Sequence, residues 1–423
     1  MANTKTISKS VLVILRVSRL LWVRVALMAS LAIVASIGAV LLDGLIPDIL
    51  RERFTPAAVM PILTILASGM LAVSTFSLNV MVTAHNAAAA QATPRAHRIL
   101  LADTTTQTVL ATFIGAFVYA LSSIILFKAK LHAPGASVTV LAVTVIVVVL
   151  VILAMLRWID HLSDLGSMDK TLRDTEHEAR TSLMLARRTP ALCARPMTPD
   201  TVMPDDVAPV PAPASGYLQF IDLRRMSAIL KDTDALIYIH AVPGRFVLEG
   251  TPVAYASGLS TEAQDRVRAC LTIGDYRTFE QDAAYGLLVL SEIASRALSP
   301  GVNDPGTAID VIGRQERLLW DWARMPVSPQ EPMFPRIFVP DTSPTQLIEG
   351  AFASTARDGA GQVEVATRLQ QALASLSEGP DPRLASAAQD MAERARAYAE
   401  RALVLEDDKI KVRAGQSAGG VNP

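Results

Sequence analysis

The sequence predicts a membrane α-helical domain of four transmembrane helices, followed by a cytoplasmic α+β domain with a small β-containing unit and a mainly helical remainder. The 423-residue chain is 51% hydrophobic with a mean hydropathy of +0.34, which is high for a soluble protein. Its charge is also divided, because residues 1–156 hold eleven Lys and Arg against four Asp and Glu, whereas residues 157–423 hold 28 against 36. This composition argues against a disordered chain, a disulfide scaffold and a basic nucleic-acid-binding protein.

Four stretches without any Asp, Glu, Lys or Arg locate the transmembrane helices. These stretches are residues 25–42, 54–94, 104–127 and 131–155. Each can supply the about 20 residues that a helix needs to cross a bilayer core. The last is rich in Val and Ile, but an open strand in lipid would leave its backbone groups unpaired, so a helix is expected there too. We place the helices at 24–43, 58–84, 105–127 and 134–156, within a transmembrane domain of residues 24–156.

Basic residues before the first span predict the orientation. The arm of residues 1–23 and the position that follows it carry Lys5, Lys9, Arg16, Arg19 and Arg24. Such a cluster stays in the cytoplasm, and four spans return the chain to the same side. The sequence therefore predicts a multi-pass membrane protein with both termini cytoplasmic. A cleaved signal peptide is disfavoured, because the apolar run is too long and no clear cleavage site follows it.

The cytoplasmic part divides by composition. We expect a helical extension at 157–189, a Pro-rich linker at 190–215, a small β-rich unit at 216–258, a helical domain at 259–408 and a disordered tail at 409–423. Within the helical domain, periodicity predicts helices at 262–272, 278–298, 305–323, 344–376 (broken near residues 359–361) and 382–405.

Two glycines in the β-rich unit suggest a hairpin. Pro243-Gly244 marks a turn, and the spacing of Gly244 and Gly250 is similar to the hairpin of domains that carry biotin or lipoate. Such a carrier presents a Lys at an exposed turn, but the nearest one, Lys231, lies on a predicted helix. We favour a structural hairpin, because the glycines need only satisfy turn geometry. No cofactor is expected.

Several segments resemble one family. Gly-Asp-Tyr-Arg-Thr-Phe-Glu-Gln-Asp at 274–282 and Arg-Ala-Leu-Ser-Pro-Gly-Val-Asn-Asp-Pro-Gly-Thr at 296–307 are similar to the signature of a bacterial predicted-membrane-protein family, domain of unknown function 2254. Gly-Tyr-Leu-Gln-Phe-Ile-Asp at 216–222 and Pro-Gly-Arg-Phe-Val-Leu-Glu-Gly-Thr-Pro at 243–252 match as well. The resemblance extends from the first span to about Leu319. It implies a multi-span inner-membrane protein with a cytoplasmic C-terminal domain, and it brings no activity, substrate or catalytic residues.

The second span carries a polar face. Five side chains lie within about 60° of one another at about 100° per residue: Thr64, Ser68, Thr75, Asn79 and Asn86. They can form hydrogen bonds to neighbouring helices, or they can line a water-filled path in an oligomer. In the third span, Ala111 and Gly115 form a pair of small residues that suits close helix packing. No span holds an acid or a base at its centre, which argues against proton-coupled transport.

The segment 296–307 is the second candidate site. Its polar residues are Arg296, Ser299, Asn303, Asp304 and Thr307. Asp304 is suited to the N-cap of a helix whose first residue is Pro305. Alternatively, this helix N-terminus and Arg296 bind an anion such as a nucleotide phosphate or a lipid headgroup.

Catalytic and metal-binding motifs are missing from the sequence. It has no P-loop, no Gly-x-Gly-x-x-Gly opening a helix and no Gly-x-Ser-x-Gly, and neither Cys193 nor Cys270 lies in a Cys-x-x-Cys motif. We therefore expect that the protein is not an enzyme and that it has no metal site and no nucleic-acid partner. The leading hypothesis is a homo-oligomeric path for a small ion or solute through the bilayer, regulated by the cytoplasmic domain. The alternative is a non-conducting, membrane-anchored sensor or scaffold that binds a partner or an anionic ligand.

Overall fold

The computed structural model describes residues 21–41, 56–91, 93–96, 104–129, 136–164, 167–327 and 331–417. The chain forms two compact units. The membrane unit is Leu12–Thr171, and the other, mainly Leu172–Pro423, is called here the C-terminal unit. Most of the predicted N-terminal arm, residues 1–20, lies outside the described residues.

Four long helices make up the described membrane unit: α1 (Leu21–Leu41), α2 (Pro56–Gln91), α3 (Thr104–Lys128) and α4 (Ala136–Asp164). Three of them contain segments long and apolar enough to cross a membrane, at Pro56–Ala84, Thr105–Lys128 and Ser137–Leu162. Three predicted spans are thereby confirmed by length and composition. The apolar stretch of α1 is shorter, Trp22–Ala35, so the structure does not establish the fourth span.

Helix α3 forms the centre of the membrane unit. It contacts the other three helices, and half of its most apolar window is buried, against 22% for α2 and for α4. The small residues Ala111 and Gly115 allow a close approach within one protomer, because a Cβ built on Gly115 would lie 3.3 Å from the Cβ of Met28 in α1. The Tyr119 hydroxyl donates to the Val140 carbonyl at 2.9 Å and so joins α3 to α4.

Two sheets form the β part of the C-terminal unit. Their strands are β1 (Ala194–Met197), β2 (Ala208–Pro211), β3 (Gly216–Ile221), β4 (Leu236–Ile239), β5 (Phe246–Val247), β6 (Pro252–Ser257), β7 (Leu271–Gly274) and β8 (Phe334–Pro340). One sheet has the order β1-β8-β4-β6-β2 and the other the order β5-β3-β7. Strand β8 is parallel to β1 and β4, and the other pairs are antiparallel. Apolar side chains of both sheets share one core.

The Pro-rich segment 190–215 is more ordered than the linker predicted for it. After a short 3₁₀ turn at Pro190–Cys193, it supplies β1 and β2, and Val210 is completely buried. Both strands lie at the edges of the larger sheet. An edge strand tolerates Pro, since it can leave the missing N–H on the side without a neighbour. The proline content therefore marked edge strands rather than a linker.

The β part is also larger than predicted, and the hairpin prediction is wrong. Strands β7 and β8 come from the region predicted to be helical, 259–408. Strands β5 and β6, which surround Gly250, pair in different sheets, β5 with β3 and β6 with β4 and β2. The Pro243–Pro252 segment therefore crosses from one sheet to the other.

Helices complete the C-terminal unit: α5 (Met168–Arg188, mostly in this unit), α6 (Leu223–Ile229), α7 (Thr261–Arg268), α8 (Tyr285–Ala297), α9 (Pro305–Arg324), α10 (Pro344–Asp358), α11 (Val363–Ser377), α12 (Pro382–Ala402) and α13 (Glu406–Ser417). The predicted break near residues 359–361 separates α10 from α11. Helix α8 begins at Tyr285 instead of residue 278, because residues 275–284 form a loop.

The predicted disordered tail contains a helix. Helix α13 buries Val412 against Ala366, Ala399 and Leu403. The Arg413 guanidinium also pairs with two carboxylates of the preceding chain. These contacts order the chain to Ser417, and residues 418–423 lie outside the described residues.

Candidate functional site

The polar face of α2 points away from the other described helices of the membrane unit. All five of its residues, Thr64, Ser68, Thr75, Asn79 and Asn86, are exposed. The residues that α2 buries are Val59, Leu63, Leu66, Met70 and Ser77. At about 100° per residue, the centres of the two sets lie about 160° apart around the helix. The structure thus brings the predicted polar residues together on one face that α1, α3 and α4 leave uncovered.

The hydroxyl groups of this face are bonded to their own helix. Thr64 donates to the Met60 carbonyl at 2.9 Å, Ser68 to the Thr64 carbonyl at 3.0 Å, and Thr75 to the Leu71 carbonyl at 2.9 Å. Such bonds satisfy the hydroxyl donor without a second helix. The side-chain amides of Asn79 and Asn86 have no hydrogen-bond partner in the described part of the chain. The two amides are therefore the groups on this face that need an outside partner.

In the segment 296–307, Asp304 occupies the N-cap position of α9. Its Oδ1 accepts the Thr307 backbone N–H at 3.0 Å, and its Oδ2 accepts the Thr307 hydroxyl at 2.5 Å. These two bonds lower the pKa of the Asp304 carboxyl. Ser299 donates to the Arg296 carbonyl, and Asn303, with φ of +51°, accepts from the Gln362 amide. The Asp304 carboxylate therefore lies where an anion bound at this helix N-terminus would lie.

We expect Asp304→Ala to lower the free energy of unfolding by about 1 kcal/mol, because the first turn of α9 loses its cap. Since the pKa of Asp304 is lowered in the folded state, its contribution is present above the unfolded pKa and is lost as pH falls through the folded pKa. Thermal unfolding of the full chain in detergent at neutral and acidic pH measures both effects. Gly301→Ala, where an added Cβ meets nothing within 4 Å, is the control. Equal stability of the two variants at neutral pH would contradict a stabilising role of Asp304 as the N-cap of α9.

The segment 274–282 forms a buried ion pair that sequence reasoning missed. Arg277 binds Asp282 through two hydrogen bonds, Nε to Oδ2 at 2.7 Å and Nη2 to Oδ1 at 2.9 Å, and only 4% of the Asp282 side chain is exposed. Burial raises the pKa of Asp282, and Arg277 opposes this effect. The side-chain amide of Gln281 accepts a hydrogen bond from the Ile221 N–H and donates one to the Ile221 carbonyl in β3. These contacts fix the loop to the smaller sheet and so give the segment a structural role.

A second buried carboxylate, Glu176 of α5, joins two helices. Arg314 Nη1 lies 2.9 Å from its Oε2, and Arg317 Nη2 lies 2.6 Å from its Oε1. Arg180, one turn further along α5, is 3.8 Å from the same Oε1. Both partners on α9 are more than 130 residues distant in the chain, so sequence spacing gives no signal for this cluster.

Within the described residues, no group of three or more His, Cys, Asp or Glu could hold a metal ion. The two cysteines are free, and Cys270 is buried.

A protein-family model described as a predicted membrane protein, domain of unknown function 2254, matches residues 18–375. The chain belongs to this family. The part of this chain that matches the family model contains both the Arg277–Asp282 ion pair and the Asp304 N-cap. The family description supports a membrane protein and states no activity.

Two curated relatives extend the comparison. An uncharacterised protein of Mycobacterium bovis and one of Mycobacterium tuberculosis are each 28% identical to this chain in a 282-residue alignment that covers 64% of this chain and 53% of the relative. The chain thus spans about half the length of the curated relatives it matches. No solved structure matches it.

Proposed function

We propose that this chain is a subunit of a homo-oligomeric bacterial inner-membrane channel. In this proposal α1 is the fourth span, both termini are cytoplasmic, and the polar face of α2 lines a path for a small ion or solute. The C-terminal unit assembles or gates this path and catalyses no reaction. The observation that carries the proposal is the polar face of a membrane-length helix, which the other described helices of the membrane unit leave exposed.

Asn79 is the most costly residue of this face to place in lipid. A primary amide in hydrocarbon loses its hydrogen bonds to water, which costs about 2–7 kcal/mol if nothing replaces them. The hydroxyls of the face avoid this cost through their hydrogen bonds to the backbone of α2, whereas the side-chain amide of Asn79, within the membrane-length segment Pro56–Ala84, has no such bond. Water in a path, or the same face of another copy, supplies the missing partners. Copies arranged around a cyclic symmetry axis place all these faces toward one centre.

Flux through reconstituted protein tests the proposal. We expect liposomes with the full chain to release a small monovalent ion, and Asn79→Leu to reduce the flux about tenfold, because a desolvated ion loses a polar partner worth about 1.4 kcal/mol. Phe76→Leu, at an exposed apolar residue outside the polar face, is the control and should keep the flux. Wild-type protein that conducts nothing, or Asn79→Leu protein that conducts normally, would contradict the channel.

The second candidate is a non-conducting membrane-anchored sensor or scaffold. The observation that favours it is the C-terminal unit itself, which holds most of the chain and has its own hydrophobic core. In this case oligomers can form through Asn79, but flux is absent from wild-type protein and ligand binding to the C-terminal unit remains.

A further inference from the structure

The polar face of α2 carries no charged group. The membrane-length segment Pro56–Ala84 holds no Asp, Glu, Lys, Arg or His, so a path along this face selects an ion through neutral dipoles alone. Neutral groups distinguish the sign of an ion by presenting either an oxygen lone pair or the hydrogen of an N–H or O–H. The direction of the hydroxyl groups on this face therefore decides which ion it suits.

The hydroxyl hydrogens on this side of α2 point to the helix backbone. Thr64, Ser68 and Thr75 each donate to a carbonyl three or four residues earlier in the chain, at 2.9 to 3.2 Å. Thr83, which is also exposed, donates to the Asn79 carbonyl at 2.9 Å. A hydroxyl group has one hydrogen and two lone pairs, so after donating it can still accept. These residues therefore present oxygen acceptors to their surroundings, and their donors are already used.

The stretch that offers only acceptors is long. At about 1.5 Å per residue, Thr64 and Thr75 lie about 17 Å apart along the helix axis, which is more than half of a bilayer core of about 30 Å. No side chain between them contains a nitrogen, and the one other hydroxyl oxygen there, that of Ser74, is buried. An anion that follows this stretch of the face meets no hydrogen-bond donor.

The two amides at the other end of the face accept either sign of charge. The side chain of Asn has an oxygen acceptor and two N–H donors, so Asn79 and Asn86 can contact a cation or an anion. An ion must pass every level of a path. Only a cation finds a suitable group at Thr64, Ser68 and Thr75 as well as at the amides.

We propose that the path along the polar face of α2 passes small monovalent cations such as K⁺ or Na⁺ and excludes anions. This inference rests on the channel proposed above. In a cyclic oligomer the same oxygens of several copies surround the axis and replace part of the water around the cation. Chloride loses the donors of its water along the same stretch and gains none. A divalent cation is disfavoured because the face has no carboxylate to take the place of its water.

The reversal potential of the reconstituted full chain in a KCl gradient tests this selectivity. We expect the permeability of K⁺ to exceed that of chloride about tenfold or more, because chloride lacks at least one hydrogen bond to a charged group. Equal permeability of the two ions would overturn the cation selectivity and leave the channel. The absence of current in both KCl and NaCl would overturn both proposals.

A matched pair of variants tests the role of the hydroxyl oxygens. Thr75→Val removes one acceptor from the face with little change of shape, and it should lower the K⁺ conductance about two- to tenfold. Thr112 of α3 donates to the carbonyl four residues earlier in the same way, at 2.9 Å, but it does not belong to the polar face. Thr112→Val is therefore the control and should keep the conductance. Thr75→Val protein with the wild-type conductance, or an equal loss in Thr112→Val protein, would contradict selection by these oxygens.

Discussion

Glu176→Ala is expected to lower the free energy of unfolding of the C-terminal unit by about 2–3 kcal/mol, because it removes charge-assisted hydrogen bonds of a buried carboxylate that joins two helices. Only 10% of the Glu176 side chain and 13% of that of Arg314 are exposed to solvent. Without the carboxylate, Arg180 keeps its pair with Asp321 and Arg314 keeps its pair with Asp310. Arg314 and Arg317 nevertheless lose the bonds to Glu176 that join α9 to α5.

Thermal unfolding of the full chain in detergent measures this loss. Glu400→Ala is a matched control, because Glu400 also pairs with an arginine, Arg413, but at an exposed position. Exposed pairs contribute little, so this variant should unfold close to the wild-type temperature. If Glu176→Ala is as stable as Glu400→Ala, the ion pairs of Glu176 do not stabilise the packing of α5 against α9.

Gly244→Ala is expected to destabilise the C-terminal unit by about 3 kcal/mol or more, for two reasons. The backbone φ of +94° costs a residue with a Cβ about 1–2 kcal/mol. The Cβ would also lie 2.2 Å from Asp282 Oδ2, which is far inside contact distance. The carboxylate must move, and its buried bonds to Arg277 are then disturbed.

Gly250→Ala separates the two causes. Gly250 also has a positive φ, of +79°, but a Cβ there meets nothing within 4 Å. We expect this variant to show only the conformational cost of about 1–2 kcal/mol. Unfolding temperatures of the two variants give the comparison, and equal losses would mean that the approach of Gly244 to Asp282 adds nothing.

Local sequence signals predicted a large part of this fold. Charge-free stretches located three membrane-length helices, since a bilayer excludes charge regardless of the remaining structure. Nearby residues also determine where α9, α10 and α12 start. Asp304, Ser343 and Asp381 each accept a backbone N–H as N-cap, and a Pro follows at the helix start. Such signals depend on residues within one helical turn.

Long-range pairing could not be predicted in the same way. Strands β1 and β2 lie in a Pro-rich segment, and only their edge positions in the sheet make those prolines acceptable. The arginines that bind Glu176 come from another helix, more than 130 residues away in the chain. Periodicity identified the polar face of α2, but only the packing of α2 shows that this face is the uncovered one.

Cysteine labelling and cross-linking at the polar face of α2 test most directly whether this face meets water and a second subunit. In a Cys193→Ala, Cys270→Ala background, Thr75→Cys places a thiol on this face, whereas Ile65→Cys, also exposed, places one about 80° away around the helix. We predict that a charged, water-soluble thiol reagent modifies Thr75→Cys in membranes, that oxidation links its subunits by a disulfide, and that Ile65→Cys shows neither. If Thr75→Cys is as unreactive as Ile65→Cys, the face lies in lipid and the proposed path does not exist.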